Sequence, residues 1–183
     1  MVSPRDQLRW QNYYMTNELI EFRSLLTDDC NLLHIWLQES HVRQFWDDGN
    51  RSIEQTRSHY YNDNNVDRFI ILINDHSVGY IQSYDVKLHD ECKEFSKNNY
   101  KTVGVDFFIG NTNFLGQGFA KRILQTFIKI YCADAARIVV DPDPKNSKAI
   151  HVYESCGFLK HTTCLIGDKM HEIMFYEREL ANK

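Results

Sequence analysis

Residues Val103 to Ile109 form an apolar run broken once, by Asp106, and the run leads through Gly110 into Leu115-Gly-Gln-Gly-Phe-Ala-Lys121. A run of this composition reads as a buried strand. The glycines at 116 and 118 stand before a stretch with helical spacing, Phe119 to Cys132. A strand, a glycine turn and a helix in succession restrict the chain to a mixed α/β plan. They also make a local chemical feature. Free backbone N–H groups at a helix start attract an anion, most often a phosphate. Asp106 lies just upstream, where the strand ends above that turn, so a phosphate-bearing ligand would meet a substrate that needs a carboxylate.

The rest of the chain fits around this unit. Glu18 to Leu26 reads as a strand. Thr27-Asp-Asp offers a cap for a helix carrying Asn31-Leu-Leu-His-Ile-Trp-Leu37. His41 to Asn50 reads as a loop, and Ser52 caps a helix running to about Asn62. Val66 to Asn74 and Val78 to Tyr84 form a hairpin around Asn74-Asp-His-Ser, followed by a long charged loop, Lys87 to Lys101. The helix after the glycine turn puts Ile123, Leu124, Phe127, Ile128 and Tyr131 on one face. Arg137 to Asp141 is a strand. Asn146 or Ser147 caps a helix through Ser155, which Gly157 ends, and Gly167-Asp-Lys joins a final hairpin. Residues 1–17 have no clear period and read as an N-terminal arm; 18–183 read as one domain. No internal repeat or low-complexity segment interrupts it.

Several function classes fall away. The net charge of −4 and the absence of a Lys/Arg cluster argue against a nucleic-acid partner. No apolar run approaches the roughly 20 residues that cross a bilayer, and Met1 to Trp10 lack a signal-peptide segment, so the expectation is no membrane partner and a cytoplasmic location. Five cysteines without a C-x-x-C pair read as free thiols, and eight histidines show no metal spacing, so no metal is expected.

A second block, Asp141-Pro-Asp-Pro-Lys-Asn146-Ser-Lys-Ala-Ile150-His-Val-Tyr153-Glu-Ser-Cys-Gly157-Phe158, joins the glycine turn. With both blocks the chain resembles the GNAT superfamily of N-acetyltransferases. Gly79-Tyr-Ile-Gln-Ser-Tyr84, Gly104-Val-Asp106, Asp141-Pro-Asp-Pro and His41-Val-Arg-Gln-Phe-Trp46 make it similar to the aminoglycoside 6'-N-acetyltransferases within that group, in matching order over roughly residues 18–177. Siderophore-type acyltransferases share the second block but tend to carry a histidine in place of Asp106. Asn113 departs from the pattern, in which Gln or Arg usually stands three residues before the first glycine.

The resemblance implies a GNAT fold: one central, mostly antiparallel sheet with a splayed pair of parallel strands, flanked by helices. It implies direct transfer of an acetyl group from acetyl-CoA, as cosubstrate, to a primary amine. The 6'-amino group of an aminoglycoside is the leading acceptor; a polyamine, a lysine or a siderophore precursor is the alternative. The turn Leu115, Gly116, Gln117, Gly118, Phe119, Ala120 and Lys121 would hold the CoA phosphates. The backbone of Phe107, Phe108 and Ile109 would face the acetyl oxygen, and Asn146 the pantetheine arm. Asp106 would take or relay the amine's proton, and Tyr153, with an unperturbed pKa of about 10, would protonate the leaving thiolate. Asp141 would bind the cationic amine, with Glu91, Trp46, Asp47, Gln82 and Tyr84 around it. A monomer or a homodimer is compatible with all of this.

Overall fold

The computed structural model describes residues 18–46, 49–62 and 65–178. The arm expected at 1–17 and the site residue Asp47 lie outside the described residues. Within them, the strands are β1 (Ile20–Ser24), β2 (Val66–Ile73), β3 (His76–Asp85), β4 (Thr102–Ile109), β5 (Arg137–Val140), β6 (Leu159–Ile166) and β7 (Lys169–Glu177). The helices are α1 (Cys30–Gln38), α2 (Ser40–Arg43), α3 (Ile53–Tyr61), α4 (Phe119–Tyr131) and α5 (Ser147–Ser155). The strands form one seven-stranded sheet in the order β1-β2-β3-β4-β5-β7-β6. Every neighbouring pair is antiparallel except β4 with β5.

Local chemistry explains most boundaries. Ser52 accepts from the Gln55 N–H, and the Gln55 side chain returns a bond to the Ser52 N–H, so a reciprocal cap starts α3. Asn146, rather than Ser147, caps α5, accepting from the Ala149 N–H at 3.1 Å. The β2–β3 turn is tighter than the expected four residues. Asn74 and Asp75 have φ of 48° and 65°, the geometry of a two-residue hairpin turn, and β3 begins at His76. The segment read as a loop from His41 opens instead inside α2. Short 3-10 turns at Val86–Leu88 and Lys93–Phe95, with Val86 and Phe95 buried, anchor the long charged loop.

Helices cover both faces of the sheet, which is why β2 and β4 are apolar almost throughout. On one face Ile71, Val105 and Ile138 pack with Phe119, Ile123, Leu124 and Phe127 of α4 and with Tyr153 of α5. On the other, Ile70, Tyr80 and Phe108 pack with Leu33, Trp36 and Leu37 of α1 and Tyr60 of α3. Successive residues of β4 therefore serve opposite layers, as the strand period of two requires.

The parallel pair is short. β4 and β5 are in register only at Thr102–Arg137, Val103–Ile138 and Gly104–Val139. Beyond Gly104, β4 stays paired with β3 as far as Ile109 but no longer with β5. The expected splay is present, and it leaves one backbone edge of residues 105–109 without a strand partner.

Candidate active site

A cavity of about 1150 Å³ opens at this splay. It exceeds the 300–1,000 Å³ typical of a site for one drug-sized ligand, so it has room for two. Its walls come from both faces of the sheet. His41, Val42, Phe45 and Trp46 contribute on the α1–α3 side, and Lys121, Ala149, Val152 and Tyr153 on the α4–α5 side.

One end is built from backbone. Gly116 and Gly118 have φ of 72° and 79°, and Gly118 is the residue before α4. No side chain caps α4, and its first turn carries no acid. Its leading N–H groups are thus free of side-chain acceptors, as an anion site requires. Lys121 and Lys148, near the starts of α4 and α5, add positive charge to the same wall. The Gln117 side chain turns back to donate to the Asn113 carbonyl and does not line the cavity.

The other end is built from side chains brought together by three strands. Register places Gln82 of β3 opposite Asp106 of β4, and Gln82 Nε2 donates to Asp106 Oδ2 at 2.9 Å. Tyr80 O–H donates in turn to Gln82 Oε1 at 2.7 Å, fixing the orientation of the amide. Asp141 follows β5 directly and lines the same cavity, near enough for its charge to act on Asp106. His171 of β7 places Nδ1 at 3.0 Å from Asp141 Oδ2 and 2.8 Å from the Asp141 carbonyl. Burial, and then the neighbouring Asp141 charge, push Asp106 up to about 8. The hydrogen bond with Asp141 raises His171 above its ordinary value against the opposing effect of burial. Tyr153 is buried, packed edge-on to Phe107 at 6.2 Å, and burial pushes its hydroxyl well above the usual range, so it keeps its proton.

The cavity lining contains Asp106, Asp141, Tyr153, Gln82, Trp46, Phe107, Phe108, Ile109 and Asn146, with Leu115, Gly116, Gly118, Phe119, Ala120 and Lys121 of the turn. Trp46 is held from behind. Its Nε1 donates to the Tyr60 hydroxyl at 2.8 Å, and its ring lies edge-on to Phe108. Tyr84 and Glu91 are not brought to the lining. The Tyr84 ring lies over Gly104, where an added Cβ would come within 2.3 Å of it, and against His89. Glu91 is exposed on the loop after β3.

Two histidines of the lining were given no role by the sequence reading. His171 sits thirty positions from Asp141, and only the β5–β7 pairing unites them. His41 Nε2 donates to the Ile109 carbonyl at 2.7 Å, across sixty-eight positions. His41 opens one of the family-like stretches but was given no role there, and no local pattern marks His171. Among the described residues no group of His, Cys, Asp and Glu could hold a metal ion.

A family model described as an acetyltransferase (GNAT) domain matches residues 26–165. The aminoglycoside N(6')-acetyltransferase type 1 of Klebsiella pneumoniae is 24% identical over 161 residues, covering 84% of this chain and 80% of that protein. The structure of AAC(6')-Ib in complex with paromomycin and acetyl-CoA superposes with a TM-score of 0.79 at 26% identity, covering 87% of this chain and 94% of that one. An uncharacterized protein of Bacillus halodurans superposes with a TM-score of 0.83 at 29% identity, covering 90% and 86%.

Proposed function

The chain belongs to the GNAT acetyltransferase family, and from that premise we propose that it transfers the acetyl group of acetyl-CoA to the 6'-amino group of an aminoglycoside. The observation that carries the reading is the carboxylate pair Asp106–Asp141 at one end of a cavity whose other end is the uncapped glycine turn of α4. A phosphate-bearing donor suits the turn, and a cationic amine suits the acids.

Gly116 to Ala120 hold the pyrophosphate with backbone N–H groups and the positive end of α4. Both glycines adopt positive φ, and nothing lies within 4 Å of the space a Cβ would take, so the backbone can be approached closely. Asn146 and the unpaired edge of β4 receive the pantetheine arm. Backbone N–H groups near Phe107 to Ile109 meet the acetyl oxygen as negative charge develops on it.

The acceptor arrives as an ammonium, which has no lone pair to attack with. At neutral pH the pair of acids retains a proton, because Asp106 ionises near pH 8. An ammonium placed between the acids favours their ionised form and expels that proton. Asp106 then takes or relays a proton of the amine, and Asp141 keeps the cation in place. The amine attacks the thioester carbon, and the tetrahedral intermediate collapses with loss of thiolate. Tyr153, which holds its proton tightly, donates it to the sulfur.

Mass spectrometry of kanamycin and tobramycin incubated with the protein and acetyl-CoA tests the reading. One added acetyl group, located on the 6'-nitrogen by NMR, is the expected product. Acetylation of spermidine or lysine with no product from either drug would replace the acceptor while keeping the chemistry.

A further inference from the structure

His171 has no part in the mechanism above, yet it lines the cavity and touches Asp141. A carbonyl oxygen only accepts hydrogen bonds. Nδ1, at 2.8 Å from the Asp141 carbonyl, therefore carries a hydrogen whatever the charge of the ring. Proton gain and loss fall to Nε2, for which no hydrogen bond is found among the described residues. A ring oriented by a carboxylate through one nitrogen and titrating at the other is equipped as a general base.

The acid pair needs such a neighbour. The proton held on Asp106 has to leave as the ammonium arrives, and one further proton leaves with each acetyl transferred. Resting on amine acetylation as the reaction of this site, we infer that His171 Nε2 is its exit base, taking the proton shed by the acceptor ammonium and releasing it to solvent. One N–H bond of the ammonium breaks and one forms at Nε2. The free amine attacks, the C–S bond breaks, and Tyr153 gives its proton to the thiolate. The second proton of the attacking nitrogen restores Tyr153. The net release is one proton per acetyl group, and it passes through His171.

The surroundings set the ionisation of the ring. Asp141 raises it most, and Asp106 on β4 acts in the same sense. Asp143, Lys169 on its own strand, and Lys148 and His151 of α5 line the same cavity. Cys164, its partner across the β6–β7 ladder, is kept as a neutral thiol by burial.

The test is the pH dependence of thiol release with kanamycin for wild type, His171→Gln and His171→Ala, with acetyl-CoA affinity followed by calorimetry. Glutamine can still donate to Asp141 but has no nitrogen that accepts a proton. Turnover of His171→Gln should fall about a hundredfold, the scale of a lost general base, with acetyl-CoA affinity unchanged. Its acid limb should lose the histidine ionisation, and the remaining one should move above the value of about 8 set with the imidazolium present. Added imidazole should restore part of the turnover of His171→Ala. A His171→Gln enzyme with wild-type turnover and an unaltered acid limb would overturn the inference alone. So would loss of acetyl-CoA affinity in step with turnover and no rescue by imidazole. A wild-type protein that acetylates none of kanamycin, spermidine and lysine would overturn the acetylation reading and this inference together.

Discussion

The two ends of the cavity are made of different material. The end proposed for the donor is backbone: a glycine turn, the free start of α4 and the unpaired edge of β4. The end proposed for the acceptor is side chain: Gln82, Asp106, Asp141 and His171, delivered by β3, β4, the end of β5 and β7. A backbone site needs only the right local conformation. It tolerates changes of side chain and recognises what all donors of one class share. A side-chain site depends on register between distant strands, and its ionisation depends on every neighbour. The first kind is suited to a constant cosubstrate, the second to selecting and deprotonating a particular amine.

If this division holds, substitutions at the two ends should separate in kinetics. The largest effect is expected at Asp106. Asp106→Asn keeps the bond from Gln82 but cannot ionise, and kcat/KM for the amine should fall by about a thousandfold while acetyl-CoA binding is retained. Equal loss of both affinities would dissolve the comparison. Tyr153→Phe removes only the hydroxyl from a buried, well-packed ring, so kcat should drop about a hundredfold with little change in either KM. Unchanged turnover would assign protonation of the thiolate to another group or to water.

Gly118→Val tests the backbone end. A β-branched residue at φ of 79° carries about 1–2 kcal/mol of strain at the start of α4. The KM for acetyl-CoA should rise about tenfold and that for the amine should stay. Asp141→Asn should do the reverse, raising the amine KM by about tenfold. It should also lower the ionisation of His171, readable by NMR, because the carboxylate is the main cause of its elevation.

The smallest expected effect is on stability, and its sign follows from the raised Asp106. The folded protein holds a proton that the unfolded chain has already lost between the ordinary carboxylate value near 4 and about 8. Stability therefore falls as pH rises through that window. Asp106→Asn removes the effect. Its melting temperature should exceed that of the wild type by on the order of 5 °C above pH 8, and the gap should close towards pH 4. A gap independent of pH would mean that Asp106 does not titrate in this range.

Legibility in the sequence followed the same division. Strand β4, the glycine turn and α4 could be read from contiguous residues, because each is a local conformational preference, while the cap of α5 was narrowed only to Asn146 or Ser147. Asp106 and Asp141 stood out because carboxylates beside apolar runs require a partner. The short helix α2 was hidden because three of its four residues are polar, and it gains its place from Val42 packing among Trp36, Tyr60 and Phe108. Tyr84 was assigned to the site through the family resemblance of Gly79 to Tyr84. Its ring instead fills the space above Gly104.

What the sequence determined alone was every strand and helix but α2, the family pattern and the glycine turn, all governed by interactions over a few residues. What only the tertiary structure decided was the state of the acceptor end. β4 leaves β5 after Gly104, the gap joins the two faces of the sheet, and β7 brings His171 to Asp141. The charge on a buried carboxylate is set by desolvation and by groups far away in the chain, and neither exists until the strands have paired.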